Sequence, residues 1–420
     1  MLDWSDDLQF GLSEPQASHC DGLYIPEAID CMRCGQCLEH CPTYQLFATE
    51  AETPRQRVRS ISKLLVDQQG LSSEQLLHLN NCLQCRACES VCPSKMAYAQ
   101  LLDQAQAKLQ QQRKQRWQVQ LALKLLQHKR CRKLLLPWLT LYLRSGLQQP
   151  LRNSGLLNKL QLAEADALLT PPTLQSLAHS YPVKSAKLRG RVALFSGCLT
   201  EHFDRASHKA AIKLLNAIGY EVVVPEQQNC CGAIHQHHGF DAAELITNNL
   251  QVFYALEVEA IIYTASGCGA MLSEYQHADS ERCGWFVRHL YDINSFLLQH
   301  WPASLQLAAS RITVAVHEPC TQRNVVKNQA HVYALLAKIP SIQVKPLANN
   351  NRCCGAGGSY MLTHPVNAQQ FGQLKQQAIV ESDADFVVSS NFACSLFLNR
   401  QIGQNQPAVL HPVQVLADRL

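Results

Sequence analysis

Eight cysteines stand in two compact runs near the start of the chain, and their spacing is the strongest chemical signal in the sequence. The runs are Cys31-x₂-Cys34-x₂-Cys37-x₃-Cys41-Pro42 and Cys82-x₂-Cys85-x₂-Cys88-x₃-Cys92-Pro93. In iron–sulfur proteins with this spacing, three cysteines of one run and the fourth of the other hold each [4Fe–4S] cluster. The spacing therefore predicts one cluster on Cys31, Cys34, Cys37 and Cys92, and another on Cys82, Cys85, Cys88 and Cys41.

Structural zinc is the alternative for the same cysteines. A zinc ion also takes four thiolates, but its protein ligands usually come as separated pairs. Three ligands at x₂ spacing followed by Cys-Pro, present twice, favour iron–sulfur chemistry. A zinc-stabilised scaffold without a redox role stays as the competing hypothesis from another class, and iron, sulfide and zinc analysis distinguishes the two.

A second set of eight cysteines follows residue 197 in a looser pattern that occurs twice. Each unit has one cysteine, then a Cys-Cys-Gly, then another cysteine: Cys198, Cys230, Cys231 and Cys268 in the first, and Cys320, Cys353, Cys354 and Cys394 in the second. Short apolar runs rich in β-branched residues alternate with helix-length segments in both units, which predicts β-α-β-α-β and a parallel sheet.

The position of these cysteines relative to the strands has a consequence. Each lies just beyond a predicted strand, and ligands of open parallel sheets gather beyond the carboxyl ends of the strands. We therefore expect the four cysteines of a unit to converge. Four thiolates suffice for one cluster, and a structural site of reduced thiols is equally compatible with the sequence.

Composition and charge limit the function further. The 420 residues are 47% hydrophobic and 17% charged, and the formal net charge of +4 is too small to indicate nucleic acid binding. The N-terminus does not have the pattern of a signal peptide, so the nineteen cysteines indicate metal or redox chemistry in the cytoplasm rather than disulfides. No apolar run approaches membrane-spanning length, so any attachment to the inner membrane is expected to be peripheral.

The fold class that follows is α+β and multidomain. The expected domains are a helical, two-cluster ferredoxin-like domain (20–105), a basic helical connector (106–188) and the two Cys-Cys-Gly units (189–300 and 310–420). The connector has twelve Lys or Arg residues and no acidic residue between Lys108 and Lys159, and its helical pattern is expected to stop around Pro137. Its segment Lys129–Arg144 is suited either to an anionic membrane surface or to packing on the chain's own core or on a partner.

Several charged or titratable residues beside the cysteines have two interpretations each. Arg55 and Arg57 fit a role in offsetting cluster charge or in gripping a partner, and equally an exposed helix start. Residues 235–238 contain three histidines, for which an exposed loop is expected. His317 and Glu318, close to Cys320, are candidates for tuning a cluster or relaying a proton, or for packing alone.

With these features in place, the chain resembles the iron–sulfur subunit of bacterial glycolate oxidase over nearly its whole length. The segments that carry the resemblance are CMRCGQCLEHCPTYQL, TPRQRVRSI, CLQCRACESVCPS, QNCCGA, TASGCGAMLSEY and RCCGAGGSYMLTHP. The iron–sulfur subunit of anaerobic glycerol-3-phosphate dehydrogenase and heterodisulfide-reductase-like proteins are similar in layout.

The resemblance implies an electron-transfer subunit rather than an independent catalyst. In such complexes an FAD-containing dehydrogenase subunit oxidises a 2-hydroxy acid such as glycolate or D-lactate, and the iron–sulfur subunit passes the electrons toward membrane quinone. The chain has no Gly-x-Gly-x-x-Gly after a predicted strand, so it gives no sign of binding a dinucleotide itself. Equivalent subunits for D-lactate or glycerol-3-phosphate are the alternatives.

One departure from the relatives concerns the end of each Cys-Cys-Gly unit. Heterodisulfide-reductase-like proteins have Cys-x-x-Cys there, and the earlier cysteine of that pair is Ala265 in unit one and Asn391 in unit two. Each unit thus keeps four cysteines rather than five, which argues against an unusual double-cubane-like cluster.

Overall fold

The computed structural model describes residues 34–112, 117–184, 187–403 and 406–420, with residues 19–20 and 23–24 described as backbone alone. Cys31, one of the predicted cluster ligands, lies outside the described residues. Within these ranges no helix is both long enough and apolar enough to cross a bilayer.

The N-terminal part is helical around the cysteine runs, apart from one short antiparallel hairpin. Its elements are β1 (His19–Cys20), β2 (Leu23–Tyr24), α1 (Gln36–His40), α2 (Pro42–Phe47), a 3₁₀ turn (Glu50–Glu52), α3 (Pro54–Leu65), α4 (Ser73–Asn80), α5 (Ala87–Ser90) and α6 (Tyr98–Gln112). The α3 helix starts cleanly because the Thr53 side chain accepts a hydrogen bond from the Gln56 N–H and Pro54 occupies the first helical position. Ile61 and Leu64 of α3 then pack with Leu101 of α6 in a small apolar core.

The connector is helical, as the sequence predicts, but its helices do not stop at Pro137. Its elements are α7 (Trp117–Gln127), α8 (Lys129–Arg144), α9 (Gln148–Asn153), α10 (Leu156–Lys159) and α11 (Ala163–Leu168). Pro137 lies inside α8, so the expected stop is wrong. The residue is on the exposed side of the helix, where water can reach the carbonyl group that has lost its N–H partner.

The first Cys-Cys-Gly unit is a five-stranded sheet covered by helices. Its elements are β3 (Ser180–Tyr181), β4 (Gly190–Phe195), α12 (Thr200–Phe203), α13 (Arg205–Ala217), β5 (Tyr220–Val223), α14 (Ala233–His237), α15 (Ala243–Tyr254), β6 (Ala260–Tyr263), α16 (Ser266–Ser273), α17 (Ser280–Arg288), β7 (Leu290–Asp292) and α18 (Ile293–His300). The strand order is β3-β5-β4-β6-β7, and only β3 runs antiparallel to its neighbour.

The second unit repeats this arrangement. Its elements are β8 (Thr313–His317), a π-helical turn (Gln322–Val326), α19 (Gln329–Leu336), β9 (Gln343–Pro346), α20 (Tyr360–Thr363), α21 (Pro365–Glu381), β10 (Phe386–Ser389), α22 (Phe392–Gln401), β11 (Val409–Leu410) and α23 (Pro412–Ala417). The parallel order β11-β10-β8-β9 is that of β7-β6-β4-β5 in unit one. The predicted β-α-β-α-β repeat is therefore confirmed, and each unit has one further parallel strand that the sequence analysis missed.

The two units share a core. Val192 and Ile262 from the first sheet lie in the same buried apolar cluster as Val314, Leu335 and Val413 from the second unit. The two central strands of each sheet are almost fully buried, as expected for parallel strands covered on both faces; they are β4 and β6 in unit one and β8 and β10 in unit two. The sheets therefore hold the loops beyond their strand ends on a rigid frame.

Candidate iron–sulfur sites

A pocket at the N-terminal part brings together cysteines from both runs. Cys34 and Cys37 of the first run line it together with Cys88 and Cys92 of the second. Pro54, Val58 and Met96 contribute an apolar wall. We call this site pocket one. The crossed grouping of Cys34 and Cys37 with Cys92 is the one that the spacing predicts.

A neighbouring pocket, pocket two, has the complementary grouping. Cys41 of the first run lines it together with Cys82, Cys85 and Cys88 of the second. Cys88 thus stands in the wall between the two pockets, while the other six described cysteines of the runs divide cleanly between them.

The two runs fold alike because of one backbone feature. Between the second and third cysteine of each run the chain takes a left-handed conformation, at Gly35 (φ 78°) and at Arg86 (φ 58°). A short helix, α1 or α5, begins directly afterwards and carries the third cysteine. The first run uses glycine, for which this conformation costs nothing, whereas the second places an arginine there. The Arg86 side chain forms an ion pair with Glu274 of unit one, which ties the strained turn to the repeat.

A buried ionic network lies behind pocket two. Arg57 and Glu52, each only 2% exposed at the side chain, form an ion pair. The guanidinium of Arg57 also donates to the Cys41 sulfur (3.6 Å) and to the Thr43 hydroxyl (2.8 Å). Glu52 accepts in addition from the Asn81 amide at 2.6 Å. Of the alternatives for the basic pair in the sequence, an exposed helix start is thus wrong for Arg57, which faces the cysteines.

The electrostatics of pocket two favour binding of a positively charged metal centre. Burial raises the pKa of Cys85 and of Cys88 well above the ordinary thiol value, and the neighbouring cysteines raise it further. Burial by itself lowers the pKa of Arg57, but Cys82, Tyr98 and Cys41 act in the opposite direction and raise it. Four thiols this close release their protons when a metal centre compensates the negative charge.

In unit one the four cysteines meet beyond the strand ends, as expected. The thiols lie close enough to perturb one another: the pKa values of Cys198, Cys230 and Cys231 are all raised by neighbouring cysteines and by burial. Asn249 on α15 is fully buried and donates to the Cys230 carbonyl at 2.9 Å. The surrounding apolar cluster contains the aromatic side chains of Phe195, Phe253, Tyr263, Tyr275 and Phe286.

In unit two the cysteines also converge. The sulfurs of Cys354 and Cys394 are 3.0 Å apart. The adjacent Cys354, together with burial, raises the pKa of Cys353, and burial followed by Cys353 raises the pKa of Cys320. Nitrogen of His317 lies within 4.8 Å of both the Cys354 and the Cys394 sulfur. Among the described residues, these three form the group whose atoms could hold one metal ion.

Two cations complete the surroundings of the unit-two cysteines. Lys375 on α21 is fully buried, and Arg323 in the π-helical turn donates to the Asn350 carbonyl. Burial lowers the pKa of Lys375 to about 8, against the opposing effect of Cys354, Cys353 and Cys394. Burial, with Lys375 and Arg323 nearby, lowers the pKa of His317 well below its usual value, so its imidazole is neutral and suited to bind a metal.

The residues that replace a cysteine in each unit lie at the contact between the units. The Ser266 N–H, next to Ala265, donates to the Ser390 carbonyl (2.9 Å), and the Gly267 N–H donates to the Asn391 side chain (3.3 Å). The Asn391 amide in turn donates to the Cys394 sulfur at 3.4 Å. Asn391 therefore contacts the cysteines of unit two from the position where heterodisulfide-reductase-like proteins have a further cysteine.

The three histidines after the first Cys-Cys pair are not in an exposed loop. His235 and His237 lie in α14, and His235 is buried with its Nε2 3.1 Å from the Leu123 carbonyl. His238 bonds the Ser359 hydroxyl of unit two at 2.8 Å. These residues join the connector and the two units, a role with no signature in local sequence because each partner lies more than a hundred positions away.

The residues present fit iron–sulfur clusters. Both pockets offer thiols and apolar walls, and pocket two also has the buried guanidinium of Arg57 beside it; these are surroundings in which such clusters are held. Sequence reasoning found the cysteines but missed Glu52, Asn81 and Lys375, because an isolated polar residue on a helix or turn shows no sign of burial before the tertiary structure is known.

Comparison with known families agrees with this chemistry. The family described as "4Fe-4S dicluster domain" matches residues 27–96. The family described as "Cysteine-rich domain" matches twice, at residues 192–273 and 314–399. These are the segments that contain the two pockets and the two convergent cysteine sets.

Whole-length relatives were also found. The chain is 34% identical to the "Probable glycolate oxidase iron-sulfur subunit" of Bacillus subtilis, over 88% of each chain. It is 27% identical to the "Glycolate oxidase iron-sulfur subunit" of Escherichia coli, over 93% of each. It is 26% identical to "Lactate utilization protein A" of Bacillus cytotoxicus, over 54% of this chain and 99% of that one. The dicluster domain, the doubled cysteine-rich domain and the full-length match together place this chain in the family of glycolate oxidase iron–sulfur subunits.

Proposed function

We propose that this chain is the electron-transfer subunit of a flavin-linked 2-hydroxy-acid dehydrogenase, with glycolate as substrate of the complex and two [4Fe–4S] clusters in pockets one and two. The crossed grouping of the described cysteines is the observation that carries the proposal. In pocket one Cys31, Cys34, Cys37 and Cys92 would be the ligands. In pocket two they would be Cys41, Cys82, Cys85 and Cys88.

When bound, such clusters accept and donate one electron at a time. The chain's own residues hold them and set their surroundings. The buried guanidinium of Arg57, hydrogen-bonded to the Cys41 sulfur, stabilises the negative charge of the thiolates. The Tyr98 hydroxyl donates to the Cys82 sulfur at 3.6 Å. Such donors favour the more negative, reduced state and so raise the reduction potential of the site.

Oxidation of the hydroxy acid belongs to a separate FAD-containing subunit in this proposal, and quinone in the membrane is the eventual acceptor. The absence of a dinucleotide fingerprint in the sequence supports this division of labour. D-lactate is the second candidate substrate, because the chain is 26% identical, over 54% of its length, to a protein named for lactate utilization.

The test is reduction by substrate in the assembled complex. The chain is co-expressed with an FAD-containing 2-hydroxy-acid dehydrogenase subunit from the same organism, purified without oxygen, and mixed in turn with glycolate, D-lactate and glycerol-3-phosphate. We expect glycolate to give the EPR signals of reduced [4Fe–4S] clusters on the chain. A colourless protein that contains zinc and no iron would refute the proposal. EPR signals with D-lactate alone would show that D-lactate, not glycolate, is the substrate of the complex.

We further propose that α8 attaches the subunit to the anionic surface of the membrane. The side chains of Leu134, Trp138 and Leu141 are 72%, 69% and 59% exposed, so packing on the chain's own core is wrong for this face. Arg130 and Lys133 are exposed beside it. Apolar and aromatic side chains flanked by cations are the pattern of a helix that lies in the headgroup region of anionic lipid.

Vesicle sedimentation tests this surface. The full chain is expected to sediment with vesicles rich in phosphatidylglycerol, less so as salt increases, and not with phosphatidylcholine alone. Replacing Leu134 and Trp138 together by Ser is expected to weaken binding at least about tenfold, because each contributes apolar burial in the interface.

Val366→Ser is the matched control, since Val366 is 68% exposed but lies on α21 rather than on α8. Its binding should equal that of the unmodified chain. Failure to sediment with anionic vesicles at low salt would contradict the proposal and leave α8 as a surface for the flavoprotein.

A further inference from the structure

Consecutive residues of the second cysteine run contact the two Cys-Cys-Gly units in alternation. Leu83 is buried in an apolar cluster of unit two, and a Cβ atom at Gly357 would lie only 2.9 Å from the Leu83 Cδ2 atom. The next residue turns to unit one, because the Gln84 side-chain amide donates to the His237 carbonyl at 3.3 Å. Neighbouring residues of the run thus contact different units.

The following two residues continue this alternation. Cys85 packs against the apolar cluster of unit two, and its carbonyl accepts a hydrogen bond from the Asn324 side-chain amide at 2.7 Å. Arg86 returns to unit one, where two guanidinium nitrogens donate to the two carboxylate oxygens of Glu274. Residues 83–86 therefore lie along the boundary between the units, and a cysteine of pocket two is among them.

The backbone on either side of Cys85 has a conformation that residues with a side chain rarely adopt. Gln84 (φ 53°) and Arg86 (φ 58°) are both left-handed. For a residue other than glycine this conformation is disfavoured by a factor of about 5–30. Both residues are also the ones whose side chains bind unit one. The contacts that offset the cost of the conformation therefore come from outside the run.

The first cysteine run has no such cost at the corresponding position. Gly35 (φ 78°) stands where the second run has Arg86, and glycine takes the left-handed conformation freely. The first run can therefore reach its conformation alone, whereas the second depends on the units.

The helix after the second run, α6, also contacts unit one. The Gln236 amide donates to the Asp103 carboxylate at 2.5 Å, and a Cβ atom at Gly239 would overlap the Gln106 carbonyl. Because α6 has these contacts of its own, loss of the ion pair at Arg86 is expected to free residues 83–86 locally and to leave the N-terminal part attached.

We propose that the two Cys-Cys-Gly units position Cys85 as a ligand of pocket two, with Gln84, Arg86 and Asn324 as positioning residues. The inference rests on the proposed function, since it concerns the cluster of that pocket. A ligand side chain must be held within about 0.5 Å of its productive position. The dihedral angles of residues 84 and 86 determine how the run approaches the other thiols, so contacts that fix these angles also fix the Cys85 thiol.

Release of iron to a chelator measures how firmly the cluster is held. All variants are made in the full-length Cys34→Ala chain, whose iron is expected to come from pocket two because pocket one has lost a ligand. Glu274→Ala removes a contact with unit one, and Asn324→Ala removes one with unit two. Each is expected to release iron to bathophenanthroline disulfonate about three- to tenfold faster, because a bidentate ion pair or an amide donor is lost.

Arg86→Gly, added to the Glu274→Ala chain, distinguishes positioning from simple attachment of the N-terminal part. Glycine adopts the left-handed conformation without a stabilising contact, but it cannot restore the ion pair. We expect iron release to return to within about twofold of that of the Cys34→Ala chain. If the ion pair served only to attach the N-terminal part to unit one, release would stay fast.

Glu221→Ala is the matched control, because Glu221 is also a carboxylate of unit one that pairs with an arginine, Arg191, but lies on β5. Its iron release should equal that of the Cys34→Ala chain. Unchanged release in Glu274→Ala or in Asn324→Ala, or fast release that Arg86→Gly does not correct, would overturn this proposal and leave the cluster of pocket two in place. A Cys34→Ala chain without iron would refute that cluster, and this inference with it.

Discussion

Replacing Cys41 by alanine is expected to remove the cluster in pocket two, whose other ligands belong to the second cysteine run, and to leave the cluster in pocket one. Cys41 lines pocket two together with Cys82 and Cys85, whereas Cys34 and Cys37 line pocket one. A [4Fe–4S] cluster that loses one of four thiolates in a partly open site is generally lost, so iron should fall from about eight to about four atoms per chain. The same loss, from the other pocket, is expected for Cys92→Ala.

Double variants make this prediction sharp. Cys41→Ala combined with Cys82→Ala should lose no more iron than either alone, because both cysteines serve one pocket. Cys41→Ala combined with Cys34→Ala should lose nearly all of it, although both residues belong to the same run. Iron analysis and spin quantification after reduction measure the result. The reverse pattern would mean that each run binds its own cluster.

Leucine at Arg57 is expected to destabilise the N-terminal part by about 3–5 kcal/mol, since it leaves a buried carboxylate without its partner. Glu52 would keep the Asn81 amide and the His78 ring as neighbours but lose the guanidinium. The sulfur of Cys41 would lose a donor as well. We expect a lower melting temperature together with loss of iron from pocket two.

Arg59→Leu is the control, two positions along the same helix. Arg59 is half-buried and its guanidinium bonds only the Gln56 side chain among the contacts described for it, so the change should cost less than about 1 kcal/mol. Thermal unfolding followed by circular dichroism compares the two. Equal stability of the Arg57 and Arg59 variants would show that the Glu52–Arg57 pair has no special role.

The sequence predicted the chemistry better than the surroundings of that chemistry. Cysteine spacing is a local property, and strand and helix periodicity is nearly so; together they gave the crossed clusters as a prediction and the α+β repeat fold, which is confirmed. Whether Arg57 or Lys375 is buried depends instead on elements far along the chain. Pro137 misled for a related reason: its effect on a helix depends on whether water reaches the freed carbonyl, which requires knowing the exposed face.

The extra strand of each repeat illustrates another limit. The last strands, β7 and β11, are three and two residues long. Segments so short have too few positions to show alternation, so they are found only when a neighbouring strand pairs with them. The contacts at Ala265 and Asn391 also have no signature in local sequence, because their partners belong to the other unit.

The contact between Cys85 of pocket two and the second repeat also has a consequence for the order in which we expect the protein to mature. Cys85 packs against the apolar cluster of the second repeat, and its carbonyl oxygen accepts a hydrogen bond from the Asn324 side-chain amide. A cluster of several atoms enters a pocket more readily while that wall is still open. Docking of the N-terminal region onto the second repeat is therefore expected to follow cluster insertion. If the N-terminal region docked first, the protein would be trapped in a closed form with pocket two empty.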